Sequence, residues 1–430
     1  MASAAPPAAV SPLRSAQVLP VGMEMADPTR GLSVTQLAPG LRYVLGVNVS
    51  SNTFVVDTSS GPVVIDTSRP PASAVHKQLL EADGVGRASH IIVTHGHGDH
   101  TGGVALWRQG GGKVVAQANY VEFLEYQSML GGFFGRRNAA QFQFGAATPA
   151  GQPAQAAAAP QGPAPQNLMP DITFDKQMSL DVGDTRFELF HTPGETPDHL
   201  TVWVPGLKAA FVGDNYYESF PNMYTLRGTR PRWPLEYIAS IDKVLSLDPE
   251  MLLPSHGRPV VGRDEVRRRL TQYRDAIAHV HDAVLAGMNG GKDVYTLMQE
   301  IRLPPELDVG EGYGKIAWTV RGIHEGYVGW FKGDPVEMFE QAPSAVSDEL
   351  VALAGGPGAL ARRANELLAA GDAVGALQLT SVGLEGAKAD KSLLRARIAA
   401  LTVLADASTN RNEMGWLSDG LRTARAALGE

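Results

Sequence analysis

Residues 94–103 read Thr-His-Gly-His-Gly-Asp-His-Thr-Gly-Gly, which puts three histidines and an aspartate within six positions. Neutral imidazole and carboxylate are ligands for zinc, and also for manganese or iron, and the intervening glycines let the backbone fold tightly around an ion. His95 and His97 can point to one ion, while Asp99 and His100 can turn toward a second about 3.5–4 Å away in a binuclear site. The chemistry open to such a centre is hydrolysis, because a divalent ion lowers the pKa of its water and stabilises charge on the group attacked. Further ligand types follow at wider spacing. Glu195, in His191-Thr192-Pro193-Gly194-Glu195-Thr196-Pro197-Asp198-His199, Asp214, in Gly213-Asp214-Asn215, and His256, in Pro254-Ser255-His256-Gly257, each come just after a short apolar run.

Those runs are the elements that must hold the cluster. Ser89-His90-Ile91-Ile92-Val93 reads as a buried strand, which places the histidines on the loop at its carboxyl end. Strands are predicted over 42–47, 53–56 and 62–66, then a helix over 74–82; a second strand series covers 187–190, 200–204 and 209–212, before a helix over 235–247. Strands alternating with helices predict an α/β layered domain. Residues 145–167 are rich in Ala, Pro, Gln and Gly and read as a flexible insertion. From residue 264 the pattern turns helical, beginning with Val266, Leu270, Tyr273, Ile277, Val280 and Val284 at steps of three and four, one apolar core-packing face. Farther on, 364–368, 376–384 and 393–404 resemble tetratricopeptide-type helix pairs around Gly371-Asp372. The expected organisation is a flexible leader over 1–36, a metal hydrolase domain over 37–263 and a helical domain over 264–430.

Composition excludes several classes. A chain of 430 residues, 44% hydrophobic, can bury the cores of two domains. Its net charge of -8 offers no basic field for nucleic acid. The absence of cysteine removes thiolate ligands, disulfides and cysteine nucleophiles, leaving His, Asp and Glu for metal. No run approaches the roughly 18 apolar residues of a membrane span. The first 35 residues lack the order of a signal peptide, and Met1 to Pro7 resemble a flexible leader; a soluble protein, exported or periplasmic rather than cytoplasmic, is the expectation.

In order and strand context, residues 37–262 resemble the metallo-β-lactamase superfamily, whose pattern is His-x-His-x-Asp-His, then Thr-Pro-Gly-His, then Gly-Asp, then a late histidine. Glu195 replaces the second element's histidine, and within the superfamily this looks like the alkylsulfatase branch. Asn222-Met223-Tyr224-Thr225-Leu226-Arg227-Gly228 is similar to that branch's sulfate-holding Asn-x-x-Thr-Leu-Arg-Gly segment, and Tyr327-Val328-Gly329-Trp330-Phe331-Lys332-Gly333-Asp334-Pro335 to its Tyr-Leu-Gly-Trp segment. The resemblance implies an αββα sandwich followed by a tetratricopeptide-like dimerisation domain. It implies two divalent ions, zinc first and manganese or iron next: His95, His97 and Glu195 hold one, Asp99, His100 and His256 the other, and Asp214 bridges where the branch generally has glutamate. Asp99 and Asp214 are the expected catalytic carboxylates, and Asn222 and Arg227 face the anion.

Two departures follow from the same alignment. Trp318, in Tyr313-Gly314-Lys315-Ile316-Ala317-Trp318-Thr319, stands among the substrate-binding positions where those sulfatases have a histidine that contacts the sulfate and assists the leaving group. An indole exchanges no proton at neutral pH. His324, six residues on, is out of register and reads as structural. The branch's sterol-carrier-like third domain would begin about where Glu430 ends this sequence. The expected function is hydrolysis of a small anionic ester, an alkyl sulfate first, by metal-bound hydroxide in a C2 homodimer. A phosphodiester, lactone or thioester hydrolase of the same fold is the alternative, and a non-catalytic metal-binding dimer is the third reading.

Overall fold

The computed structural model describes residues 32–47, 49–143 and 166–430; the expected leader and insertion lie almost wholly outside them. Two mixed sheets face each other. In the first, β1 (Val34–Ala38), β2 (Leu41–Val44), β3 (Thr53–Val56) and β4 (Val63–Ile65) pair antiparallel, and β5 (His90–Ile92), β6 (Lys113–Gln117) and β7 (Ile172–Phe174) add in parallel, in sequence order. In the second, β8 (Gln177–Val182), β9 (Thr185–His191), β10 (Leu200–Val204) and β11 (Ala209–Gly213) form an antiparallel meander. There β12 (Met251–Pro254) joins parallel to β11, and β13 (Val260–Val261) closes the edge. The strand predicted over 42–47 ends at Val44, because the Asn52 side chain takes the Gly46 amide at 2.8 Å and draws the chain off the ladder.

Period-two alternation sorts the strand residues into layers. Phe54, Val56, Val63, Ile65, Ile92 and Val115 pack with Phe187, Leu189, Val202, Phe211 and Leu253 between the sheets. Their neighbours Val55, Val64, Ile91 and Val114 join an outer core with residues of α1 (Pro70–Ala82), α3 (Val104–Arg108) and α4 (Tyr120–Met129). Between α1 and α3 lies the one-turn α2 (Gly98–Thr101), and α5 (Gly131–Phe142) follows α4. The second sheet is covered by α6 (Pro234–Ser246) and the first half of α7 (Arg263–Asn289), through Tyr237, Ile241, Val266, Leu270, Tyr273 and Ile277. The layers make an αββα sandwich.

The rest is helical. Val280 and Val284, farther along the apolar stripe of α7, enter a separate core with α8 (Val294–Glu300) and α9 (Ile316–Val328). After α10 (Ser347–Leu353) come α11 (Pro357–Ala369), α12 (Ala373–Gly386), α13 (Lys391–Ala407) and α14 (Arg411–Leu428). Asp372, Asp390 and Asn410 accept backbone N–H groups at the starts of the last three. Small residues Ala364, Ala376, Ala396 and Ala400 let α11, α12 and α13 pack closely. The last helix returns to the sandwich, meeting α5 so tightly that a Cβ at Gly415 would lie 1.9 Å from the Gln141 carbonyl oxygen.

Candidate metal centre

The two sheets are tied together where their ligand-bearing loops meet. Leu200 N donates to Thr94 O at 2.8 Å, Asn52 N to Ser255 O at 2.7 Å, and Asn52 Nδ2 to Pro254 O and Gly257 O at 2.8 and 2.9 Å. The chain leaves β4 into Asp66, β5 into His95 to His100, β9 into Glu195, β11 into Asp214 and β12 into His256. Two glycines are required by space. A Cβ at Gly96 would stand 2.6 Å from Phe123 Cδ1 and 3.2 Å from Asp198 Oδ2. At Gly213, where φ is +50°, it would stand 2.4 Å from His199 Nε2.

The seven expected ligands converge in two groups. Ligand atoms of His95, His97, Glu195 and Asp214 lie within 4.8 Å of one another, and so do those of Asp99, His100 and His256. His95 Nε2 is 2.9 Å from His97 Nδ1 and 4.0 Å from Asp214 Oδ2; His97 Nδ1 is 3.6 Å from Glu195 Oε1. Asp214 also reaches the second group, with Oδ1 3.5 Å from His100 Nε2 and Oδ2 3.4 Å from His256 Nε2. Asp99 Oδ2 lies 3.6 Å from His100 Nε2 and 3.1 Å from His256 Nε2. A cation fits this set. His100 Nε2 and Asp214 Oδ1 are enclosed without a hydrogen-bond partner, a state that costs about 1–3 kcal/mol per buried group. Imidazoles and carboxylates with no thiolate suit a borderline or hard divalent ion.

Electrostatics divides the histidines. Burial pulls His95 well below the usual range, helped by His100 and His97, and does the same to His97 with Arg227 and Arg232; both are neutral, the form that ligates. Burial also pulls on His100 and His256, but the surrounding acids outweigh it. Asp214, Asp66 and Asp99 hold His100 well above its ordinary value, and Asp214 and Asp99 raise His256 to about 10. The Glu195 carboxyl is pushed up to about 7 by burial, against the pull of Arg232.

A surrounding tier aims these groups. Asp66, held at φ +55°, accepts from His100 Nδ1 at 2.8 Å, from Thr94 N and Oγ1 at 2.9 and 2.8 Å, and from Ser255 Oγ at 2.6 Å. Glu195 is gripped by Arg232, by Tyr237 Oη at 3.0 Å, and through its own N–H by Asn215 Oδ1 at 2.9 Å. His199 turns its Nε2 to the Asp214 N–H at 3.2 Å, and burial lowers its pKa to about 4. Sequence reasoning assigned none of these a role. For Asp66 a signal existed, an acid directly after the apolar run Val63-Val64-Ile65.

The stretch between β11 and α6 brings Asn222 and Arg227, the residues expected to face an anion, toward the cluster. Arg227 is buried, with Nη2 3.3 Å from His97 Nε2, and its Nε has no partner. Asn222 is buried with a free Oδ1, its N–H held by Tyr217 Oη at 2.5 Å. Trp318 lies half-buried on α9 with the Lys315 ammonium 5.5 Å from its ring; among the described residues no hydrogen bond or ring contact joins it to the seven. His324, also on α9, has a buried Nδ1 without a partner. Tyr313 is the residue in its segment that senses the centre. Burial raises its phenol to about 12, with Arg227, Glu195, Asp99 and Arg411 as its charged neighbours, and its hydroxyl bonds to no other described residue. Its ring packs edge-on against Tyr217 at 5.5 Å.

Comparison with known proteins places both halves. Residues 46–256 match the metallo-beta-lactamase superfamily and residues 294–424 the alkyl sulfatase dimerisation family. The chain therefore carries a metallo-beta-lactamase domain followed by an alkylsulfatase dimerisation domain. It is 30% identical over 344 residues to a linear primary-alkylsulfatase of Pseudomonas sp. (strain ATCC 19151), covering 76% of this chain and 65% of that protein. Against an (R)-specific secondary-alkylsulfatase of Pseudomonas sp. it is 27% identical over 313 residues, covering 67% of this chain and 47% of that one. The chain thus spans less than two thirds of these relatives' length. A solved structure of the stereoselective inverting sec-alkylsulfatase Pisa1 from Pseudomonas sp. shares the fold, with a TM-score of 0.81 at 23% identity over 93% of this chain and 66% of that one.

Proposed function

We propose that this chain is a metal-dependent hydrolase of alkyl sulfate esters, working with two divalent ions, zinc first and manganese or iron next. The observation that carries this reading is the juxtaposition of seven converging ligands with a buried guanidinium, Arg227, 3.3 Å from one of them. The relatives' names point the same way. His95, His97 and Glu195 would hold one ion, Asp99, His100 and His256 the other, and Asp214 would join them. When bound, the ions supply Lewis acidity and lower the pKa of water, to about 7 with zinc.

The protein's own residues do the rest. Arg227, with Asn222, offers charge-assisted hydrogen bonds to the oxygens of the anion. Asp99 and Asp214 are the carboxylates placed to orient the attacking water and take up its proton. Asp66, Tyr237 and Arg232 fix the ligands, so that little reorganisation is left for the reaction. Two copies of the chain pair through the dimerisation domain. No helix among the described residues is long and apolar enough to cross a membrane. One observation favours another ester: Trp318 brings no proton donor where the alkylsulfatases have an imidazole.

The test is release of inorganic sulfate from short, secondary and long-chain alkyl sulfates by metal-loaded protein, with His97→Ala as control and metal counted per chain. Release lost in His97→Ala, with two ions per chain, is the expected result. No release from protein holding two ions would refute the sulfatase reading and turn the search to chromogenic phosphodiesters, lactones and thioesters.

A further inference from the structure

The stretch that carries Asn222, Arg227 and Arg232 lies against the Tyr313 segment and α9 at distances that leave no room for a Cβ. One placed at Gly314 would stand 2.2 Å from Pro221 O. At Gly322 it would stand 2.7 Å from Tyr224 Cβ and 2.9 Å from Tyr224 Cγ, and at Gly326 2.9 Å from Trp233 Cη2 and 3.2 Å from Trp233 Cζ3. Taken in order, these contacts follow both chains, from the residue before Asn222 to the residue after Arg232. Gly322 and Gly326 lie one turn apart on the same side of α9. Glycine inside a helix is less favourable than alanine, so what calls for it here is the loop lying against the helix.

The helix is the fixed side of this seam. Ile316, Val320 and Ile323 of α9 are buried in one core with Val280 and Val284 of α7 and Leu297 of α8, so crowding at Gly322 or Gly326 is relieved by the loop. Tyr224 Cβ is tied to its own backbone, and a push on it reaches the main chain three residues before Arg227. Tyr224 Oη also donates to Glu325 Oε2 at 3.3 Å, and Arg321 Nε holds Glu325 at 2.8 Å. Trp233 follows Arg232 directly, and its ring packs 5.4 Å from that of Tyr327 on α9. The loop presents side chains with capacity to spare. Arg227 is 8% exposed, Arg232 6% and Asn222 2%. Among the described residues Arg227 Nε, Arg232 Nε and Nη2, and Asn222 Oδ1 have no hydrogen-bond partner. Buried guanidinium N–H groups of this kind suit an oxyanion, through charge-assisted bonds whose paired geometry is exacting.

We propose that Gly322 and Gly326 are positioning residues for anion binding: by admitting Tyr224 and Trp233 to the surface of α9, they set where Arg227 and Arg232 stand beside the ligand cluster. This rests on the reading of the chain as a sulfate ester hydrolase and adds what aims its guanidinium groups. A displacement of about 1 Å made far from the reacting atoms can cost up to about 100-fold. The ligands are insulated from it, because His95 to His100, Asp214 and His256 sit on other loops and Asp66 aims His100. Glu195 alone among the seven bonds to Arg232, and Tyr237 Oη at 3.0 Å holds it as well.

The test uses the metal-loaded full chain and three readouts: zinc bound per chain, the Kd of inorganic sulfate by calorimetry, and KM and kcat for sulfate release from a short alkyl sulfate. Wild type is compared with Gly322→Ala, Gly326→Ala and Gly326→Ala/Trp233→Phe. Gly358→Ala on α11 is the control for helix propensity alone, since its Cβ would meet nothing nearer than Arg362 Nη1 at 3.9 Å. In Gly322→Ala and Gly326→Ala the Kd and KM should rise about 10-fold or more while bound zinc stays at the wild-type count. Phenylalanine lacks the Cη2 and Cζ3 atoms that crowd Gly326, so the double variant should regain at least about half of that loss on a logarithmic scale. Gly358→Ala should match wild type. Wild-type sulfate binding in both single variants would overturn the assignment. So would loss of zinc along with sulfate, or a double variant no better than Gly326→Ala, since either makes the glycines merely structural. A zinc-loaded wild type that neither binds sulfate nor releases it from the ester would defeat the sulfatase reading, and this assignment with it.

Discussion

Asp66→Asn separates the ligands from what aims them. The native carboxylate accepts four hydrogen bonds, all from donors: Thr94 N on Oδ1, and Thr94 Oγ1, His100 Nδ1 and Ser255 Oγ on Oδ2. An amide has one accepting oxygen and a donating nitrogen. Keeping the oxygen on the Oδ2 side preserves three contacts and sets the amide nitrogen against the Thr94 N–H, leaving a buried donor unpaired at about 1–3 kcal/mol. The bond from His100 also loses its charge assistance, roughly half its strength. Together these cost roughly 2–4 kcal/mol of folding stability in the metal-free protein. The consequence for metal is separate. Asp66 keeps the proton of His100 on Nδ1, so that Nε2 faces Asp99 and Asp214. Losing such a partner typically lowers metal affinity about 10–100-fold. One effect opposes this: without the Asp66 charge His100 holds its own proton less tightly, which favours metal where that proton competes. Zinc affinity by chelator competition at two pH values resolves the two, since the proton effect fades at the higher pH. Ser255→Ala, which removes one donor without touching His100, is the control and should stay within about 3-fold. Wild-type affinity in Asp66→Asn at the higher pH would refute the reasoning and leave Asp66 a purely structural residue.

Three further outcomes follow from the geometry. Gly96→Ala places a Cβ 2.6 Å from the Phe123 ring, so zinc affinity should fall at least about 10-fold through the displaced His95–His97 loop and recover partly in Gly96→Ala/Phe123→Ala; no recovery would place the strain elsewhere. His76 is fully buried and its pKa is lowered by burial to about 4, so below pH 6.5 the unfolded chain takes up a proton that the folded chain refuses. Stability should therefore decline from pH 6.5 toward 4, by roughly 3 kcal/mol from this group, and urea unfolding of His76→Gln should lose that part of the slope; an unchanged slope would discount His76. Tyr313→Phe removes a hydroxyl with no described partner, so stability should move by less than about 0.5 kcal/mol while turnover drops about 100-fold, as for loss of a donor to developing charge. Full turnover in that variant would show that the phenol does not meet the reacting ester.

The parts of the fold legible in the sequence are those governed by local pattern. The two-residue alternation of 53–56 and 63–65 sorts these strands between inner and outer cores, and the three-and-four spacing of Val266 to Val284 marks the buried stripe of α7. The ligand cluster was legible because six consecutive positions carry four candidate ligand residues. What stayed hidden depends on long-range contact. Asp66 and Ser255 meet across 189 positions, and Glu195 meets Arg232 across 37, so neither pairing leaves a local trace. Tyr313 gained its meaning only through the fold. The alignment drew attention to Trp318, five residues later, whereas the phenol is the side chain whose charged neighbours include Glu195 and Asp99.

The helical domain is part of the site rather than an attachment to it. Asn410 Nδ2, at the start of α14, donates to Glu311 O and Tyr313 O at 2.7 and 2.9 Å, and Asn412 Nδ2 to Tyr313 O at 2.9 Å, while Arg411 N donates to Gly312 O at 2.9 Å. The loop presenting Tyr313 is therefore held from the far end of the chain. A second brace runs through Arg137 on α5. Its guanidinium stacks 4.9 Å over Trp416 of α14 and donates to the carbonyls of Leu226 and, at 2.7 Å, Arg227. The backbone that aims Arg227 thus depends on a tryptophan about 190 residues later in the chain. Stacked arginines are worth about 0.5–2 kcal/mol. Loss of that contact would be felt first in the position of Arg227, and only then in the ligands. Trp416→Ala, which removes that contact and leaves the cover of both sheets in place, should therefore keep zinc affinity near that of wild type while weakening binding of the proposed sulfate ester by up to about 30-fold. A variant matching wild type in both would show that α14 only covers surface.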